Sequence, residues 1–213
     1  MQAYSEDLRE RVIGVVEAGR RETEGCTMAK LIYDACTSLD GYVADENGNF
    51  DWAELDEEVY AFINNRERQI GTYLFGRKIY ETMAVWETPD VIPHRTPAVL
   101  EFAPIWQAVE KIVYSTTPRT VSTAKTRLER KFEADVVREL KAGATRDVAV
   151  GGPALAAHAI RAGLVDEYHL LIAPIIAGSG NPYLPGKVRV KLELLDERRF
   201  DNGLVHVRYR AKS

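Results

Sequence analysis

Cysteine is scarce in this chain: Cys26 and Cys36 are the only two in 213 residues. They form no C-x-x-C, so no disulfide framework is indicated, and Cys36 reads as a small buried apolar residue in a strand. Positive charge is not in excess. The 28 Lys and Arg against 32 Asp and Glu leave a net charge of −4, which argues against a nucleic-acid surface as the main business. Long apolar runs are missing too. The most apolar stretch, Leu170 to Ala177, carries Pro174 and is far too short to cross a bilayer. The N-terminus has no signal-peptide core, being filled by Glu6, Asp7, Arg9, Glu10 and Arg11. No membrane or nucleic-acid partner is expected, and the expected location is cytoplasmic. Histidine is rare, with His158 in a helix pattern and His169 in a strand pattern, both read as structural. There is no HExxH and no His/Asp/Glu cluster at metal-ligand spacing, so no metal is expected. Repeats and low-complexity tracts are also lacking.

What remains is ordinary globular material, 46% hydrophobic and 28% charged. Residues 1–27 read as a helical extension, with Leu8, Val12, Val15 and Val16 on one face. Tyr4 to Ile13 followed by Glu17-Ala18-Gly19 resembles the opening helix of insertion-element transposases. The groove-reading second helix is missing, so an upstream fusion or a mis-chosen start codon is expected, with the main domain spanning 28–213. From Lys30 the chain alternates strand and helix. Strands are expected at Leu31–Ala35, Thr72–Phe75, Ile112–Tyr114, Val148–Val150 and Tyr168–Ala173. A helix after Trp52 should present Val59, Phe62, Ile63 and Ile70, and another should cover Glu133–Ala142. Glu87–Ala103, rich in proline, reads as a long surface loop. Val188, Val190, Leu192 and Leu194 alternate with charged residues, as do Val205, Val207 and Tyr209, across an Asp201-Asn202-Gly203 turn. That is an antiparallel hairpin of half-buried strands.

The chain is organised around Asp147-Val-Ala-Val-Gly151-Gly152-Pro153-Ala154-Leu155, a buried strand, a double-glycine turn and a helix opened by proline. The glycines allow close backbone approach, and the helix start offers unpaired N–H groups that favour a phosphate. A bare strand-to-helix turn is the alternative. Other strand ends are equally unusual: Asp40-Gly41, Gly76-Arg77-Lys78 and Ser115-Thr116. In an open α/β sheet such ends converge on one crevice. Two cations with two hydroxyls suit a phosphate monoester, and the Gly-Gly turn suits a pyrophosphate. A phosphorylated dinucleotide is therefore an economical ligand. Neither G-x-G-x-x-G nor a P-loop sequence is present, which argues against an ordinary Rossmann dehydrogenase.

The ordered set Ser38-Leu-Asp-Gly41, Asp51-Trp52, Gly76-Arg-Lys-x-Tyr-Glu81, Val113-Tyr-Ser115, Gly151-Gly-Pro-Ala-Leu155, Val165-Asp-Glu-Tyr-His169 and Gly178-x-Gly180 resembles the dihydrofolate reductase-like superfamily. It is most similar to the C-terminal reductase domain of riboflavin-biosynthesis deaminase-reductases and their stand-alone relatives. The resemblance implies a three-layer α/β/α fold with a mostly parallel central sheet and a C-terminal antiparallel hairpin. It implies an NADPH-dependent reductase of a small heterocyclic (pterin or flavin-precursor-like), carbonyl or imine substrate, working as a homodimer. Arg77 and Lys78 with Ser115 and Thr116 would hold the ribose 2′-phosphate, and Gly76 would belong to the cofactor site beside them. Gly151, Gly152, Pro153, Ala154 and Leu155 would cover the pyrophosphate, and Ser38 and Trp52 would meet the substrate. Asp40, or a carboxylate among Asp56, Glu57 and Glu58, would relay the proton. Each of the last three could equally cap or solvate a helix start. The zinc-deaminase signatures H-x-E and P-C-x-x-C are absent, which excludes the bifunctional enzyme. A module of this fold that binds the nucleotide without turnover is the alternative.

Overall fold

A computed structural model of the protein describes residues 28–52, 55–92, 95–117 and 120–212. The transposase-like stretch lies outside them. In chain order the elements are β1 (Leu31–Thr37), β2 (Tyr42–Ala44), α1 (Glu57–Glu67), β3 (Ile70–Gly76) and α2 (Arg77–Met83). Two short 3₁₀ turns lead to α3 (Pro97–Ala108), β4 (Glu110–Tyr114), β5 (Thr126–Glu129), α4 (Ala134–Gly143), β6 (Asp147–Gly151) and α5 (Pro153–Arg161). The chain continues through β7 (Glu167–Ile172), β8 (Asn181–Pro182), β9 (Leu192–Arg199) and β10 (Val205–Ala211).

Eight strands form one sheet in the order β5-β4-β3-β6-β1-β7-β10-β9. The first six run parallel, and β10 pairs antiparallel with both β7 and β9. The central strands are apolar on both faces, as a parallel sheet covered by helices requires. Leu31, Tyr33, Leu74, Ile112, Val148 and Val150 pack with Val137 of α4 and Leu155 and Ala156 of α5. The alternate residues Ile32, Tyr73, Phe75, Val113 and Ala149 pack with Val99, Phe102 and Trp106 of α3. The period-2 alternation of the strands thus builds three layers.

Three sequence expectations are corrected. Glu87–Ala103 is not simply a loop, because α3 begins at Pro97. Thr96 caps it, Pro97 occupies the first turn where no N–H is needed, and Ala98, Val99, Phe102, Ala103 and Trp106 are buried. Ile70 is not part of the helical face: α1 ends at Glu67, and Ile70 opens β3. In the hairpin, the first strand begins at Leu192 rather than Val188, and Val190, Leu192 and Leu194 are exposed rather than half-buried. Strand β9 is the sheet edge, and among the described residues no layer covers that face.

The 173–191 loop is held to the sheet. Tyr183, 2% exposed, stacks on Tyr33 with ring centroids 4.3 Å apart. Each hydroxyl donates to the other residue's carbonyl, Tyr33 Oη to Tyr183 O at 2.8 Å and Tyr183 Oη to Tyr33 O at 3.2 Å. Beside it β8 pairs with β2, and Gly180 (φ +141°) approaches so closely that a Cβ would lie 2.1 Å from Ala44 O. Only glycine fits there.

Candidate functional site

Strands β4, β3, β6 and β1 are consecutive neighbours, so their carboxyl ends lie side by side. Gly76 is level with Tyr114, Phe75 with Gly151, and Tyr33 with Val150. The residues that follow these ends line a single cleft of about 1890 Å³. A drug-sized ligand needs roughly 300–1,000 Å³, so the cleft has room for a dinucleotide with a second molecule.

One half of the cleft lies over β4, β3 and β6. It carries Gly76, Arg77, Lys78, Ser115 and Thr116, and the turn Gly151, Gly152, Pro153, Ala154 and Leu155. All ten cofactor-site positions expected from the sequence therefore share one wall. Gly152 has φ +91°, a conformation that requires glycine, and it opens α5 with no side-chain cap. The first bond back to that turn is from Ala156 N–H to Gly152 O, so the N–H groups of Ala154 and Leu155 have no helical acceptor. Gly151 serves packing as well: a Cβ there would meet Phe75 Cδ1 at 2.8 Å. Arg77 pairs with Glu81 at 3.2 Å on the exposed helix surface. Sequence reasoning missed Arg130, which follows the unforeseen strand β5, lines the cleft and donates to Ser115 O at 3.1 Å.

The other half lies over β1 and beside α1. Trp52 is there with Phe50, Leu55, Tyr60 and Met83. The remaining expected residues are elsewhere. Ser38, 1% exposed, donates to Asp40 Oδ1 at 2.7 Å and accepts from Tyr42 N–H at 3.0 Å. Asp40 also accepts from Ala177 N–H at 3.0 Å and Gly178 N–H at 2.8 Å. The Ser38 hydroxyl and these backbone donors lower the Asp40 carboxyl to about 2, so it stays ionised at neutral pH and has no proton to give. Glu57 accepts from Ala98 N–H at the start of α3, Glu58 pairs with Arg198 at 2.6 Å, and Asp56 caps α1 through Val59 N–H. None of Ser38, Asp40, Asp56, Glu57 and Glu58 lines the cleft.

Among the carboxylates that do line this half, one had no distinguishing pattern in the sequence. Asp34, mid-strand in β1, sits one strand from Gly151 at the same level. Its Oδ2 accepts from Arg66 Nη2 at 2.6 Å. Arg66 Nη2 also bonds His169 Nδ1, and His169 Nε2 lies 3.0 Å from Glu167 Oε2, which faces Lys30 at 2.8 Å through its other oxygen. With Nδ1 accepting from the guanidinium, the imidazole is the neutral Nε2–H tautomer, and burial lowers the His169 pKa to match. His169 is thus part of a buried relay rather than an isolated core histidine.

Among the described residues no group of three His, Cys, Asp or Glu could hold a metal, and no helix is long and apolar enough to cross a membrane.

The sequence profile of the RibD C-terminal domain matches residues 29–206. An uncharacterized protein, YyaP, from Bacillus subtilis (strain 168) is 29% identical over 198 residues, covering 88% of this chain and 97% of that one. The crystal structure of a putative riboflavin biosynthesis protein from Shewanella sp. PV-4 superposes with a TM-score of 0.66 at 19% identity, covering 86% and 99%. A diaminohydroxyphosphoribosylaminopyrimidine deaminase/5-amino-6-(5-phosphoribosylamino)uracil reductase from Thermotoga maritima gives 0.58 at 13% identity, and 57% of its length is covered.

Proposed function

The chain belongs to the RibD C-terminal domain family, whose reductases have the dihydrofolate reductase-like fold, and from that premise we propose that it is an NADPH-dependent reductase of a small heterocyclic or carbonyl/imine compound. The observation that carries the reading is the single cleft, with cations and free helix N–H groups in one half and aromatic side chains in the other. The donor set fits the cofactor. Arg77, Lys78 and Arg130, with the hydroxyls of Ser115 and Thr116, would hold the 2′-phosphate as charge-assisted donors. The Gly152–Leu155 turn would carry the pyrophosphate on its free N–H groups and the α5 dipole. When bound, NADPH supplies hydride. The protein's own part is to bind, orient and exclude water. The working form is proposed to be a homodimer through the apolar face of β9, which is exposed among the described residues.

The test is a calorimetric titration with NADPH and, separately, NADH. NADPH should bind the more tightly, and Arg77→Ala with Lys78→Ala should weaken NADPH by about tenfold or more, since a charged hydrogen bond is worth roughly 1.5–3 kcal/mol, while leaving NADH nearly unchanged. Equal NADPH affinity in that double variant sinks the assignment. The rival reading, a module without turnover, draws on the engagement of Asp40, Glu57 and Glu58 outside the cleft. NADPH binding with a blank screen of pterins, flavin precursors and small carbonyls would favour it.

A further inference from the structure

The cations among the described residues that line the cleft are confined to one half, where Glu81 also lines it and pairs with Arg77. The Arg and Lys residues of its wall are Arg77, Lys78 and Arg130, all on the side of β3 to β5. On the β1 side the ionisable lining is acidic: Asp34, Asp45, Glu46 and Asp51, with no Arg or Lys among the described residues. A phosphate on the second ligand would meet like charge there, because the nearby cation, Arg66, is engaged by Asp34 and His169 and does not line the cleft, which disfavours it. Among these acids, Asp45 and Glu46 are occupied locally. Asp45 accepts the N–H groups of Asn47 and Asn49 within its own turn, and Glu46 accepts from Ser179. Asp34 differs from both. It belongs to the rigid central strand, its side chain is 29% exposed, and it is half-used: Oδ2 is taken by Arg66, while Oδ1 has no hydrogen-bond partner among the described residues. The Lys30–Glu167–His169 relay fixes the guanidinium from behind, so the carboxylate is held in place with one acceptor oxygen to offer. Trp52, Phe50 and Tyr60 in the same half provide flat apolar surface.

We infer that the second ligand of this cleft is an unphosphorylated planar nitrogen heterocycle, neutral or cationic, whose N–H edge is bound by Asp34. This rests on the reductase reading above and narrows it. The Thermotoga relative is named for a phosphoribosyl substrate, and the present cleft is built for a compound without that phosphate. Asp34 is a binding residue in this account, positioned by Arg66.

The experiment uses the full chain, with and without saturating NADP⁺, and two probes that differ only in the phosphate. These are 5-amino-6-(5-phosphoribosylamino)uracil and its dephosphorylated nucleoside, with 2,4-diaminopyrimidine as a smaller cationic probe. The nucleoside should bind the wild-type protein more tightly than the phosphorylated compound. Asp34→Asn should weaken 2,4-diaminopyrimidine by about tenfold, as loss of a charged acceptor predicts, with NADP⁺ affinity unchanged. Tighter or equal binding of the phosphorylated compound overturns the inference, and so does an Asp34→Asn variant that binds diaminopyrimidine as the wild type does. Failure of all three probes to bind at millimolar concentration counts against it as well. The NADP⁺ titration is read separately, so failure of the cofactor assignment is distinguishable from failure of the heterocycle assignment. The wild-type phosphate comparison stands even if Asp34→Asn misfolds.

Discussion

Asp40 and His206 are both far from their ordinary protonation range, and in both cases the cause is structural. Asp40 was conspicuous in the sequence because Asp-Gly follows a strand. That spacing cannot distinguish a carboxylate aimed at a ligand from one that ties down residues 177 and 178, since the partners are 137 and 138 positions away. Asp40→Asn should lower Tm and speed proteolysis in the 175–180 loop, and any acid limb in the pH–rate profile should stay in place because Asp40 titrates near 2. A shifted limb would return Asp40 to the reacting centre. His206 is 1% exposed, and neither ring nitrogen has a hydrogen-bond partner among the described residues. Burial, helped by the Arg66 charge, lowers its pKa from 6.5 to about 4. The unfolded chain therefore binds the extra proton between those values, and stability falls as pH drops from about 6.5 to about 4, by at most roughly 1.4 kcal/mol per pH unit. His206→Leu should flatten that part of the Tm–pH curve while changing Tm little at pH 7.5, because it removes polar atoms that nothing satisfies. Asp34, by contrast, left no trace in the sequence. A lone acid inside an apolar strand pattern acquires meaning only through Arg66 and His169, which are 32 and 135 positions away.

The Gly151-Gly152-Pro153 turn was legible because every residue in it has a local reason: extended valines, a positive φ, a proline at the helix start. Its two glycines answer to different forces, and this can be measured. Gly152→Ala places a side chain at φ +91° and should cost about 1 kcal/mol or more together with nucleotide affinity. Gly151→Ala collides with Phe75 and should cost roughly 1–3 kcal/mol, part of which Phe75→Leu recovers in the double variant. Additive losses would mean that the aromatic contact is not the constraint. Helix α3 was hidden for the opposite reason. Its prolines at 97 and 104 and the irregular stretch before it imitate a loop, and only the burial of Val99, Phe102 and Trp106 against the sheet decides the matter. The hairpin was read correctly as to turn and pairing, but its alternation said nothing of what would cover each face.

At the scale of the molecule, the mostly parallel order and the antiparallel ending followed from the spacing of strands and helices. Strand β5 did not, because Thr126–Glu129 has no hydrophobic pattern, and Arg130 was lost with it. The uncovered face of β9 sets a whole-molecule prediction. Leu192→Asp with Leu194→Asp should convert the sedimenting species from dimer to monomer without changing NADPH affinity. A wild-type protein that sediments as a monomer at micromolar concentration overturns the dimer. The reciprocal Tyr33–Tyr183 bonds, with Gly180 wedged against Ala44, carry a different kind of consequence. They clamp the loop that brings Gly180 and Asn181 to the cleft rim onto the central strand, so this part of the mouth needs no rearrangement to receive a ligand. Nucleotide capture should then be a one-step encounter: stopped-flow traces of a single phase, with an observed rate that climbs in proportion to concentration and reaches no plateau.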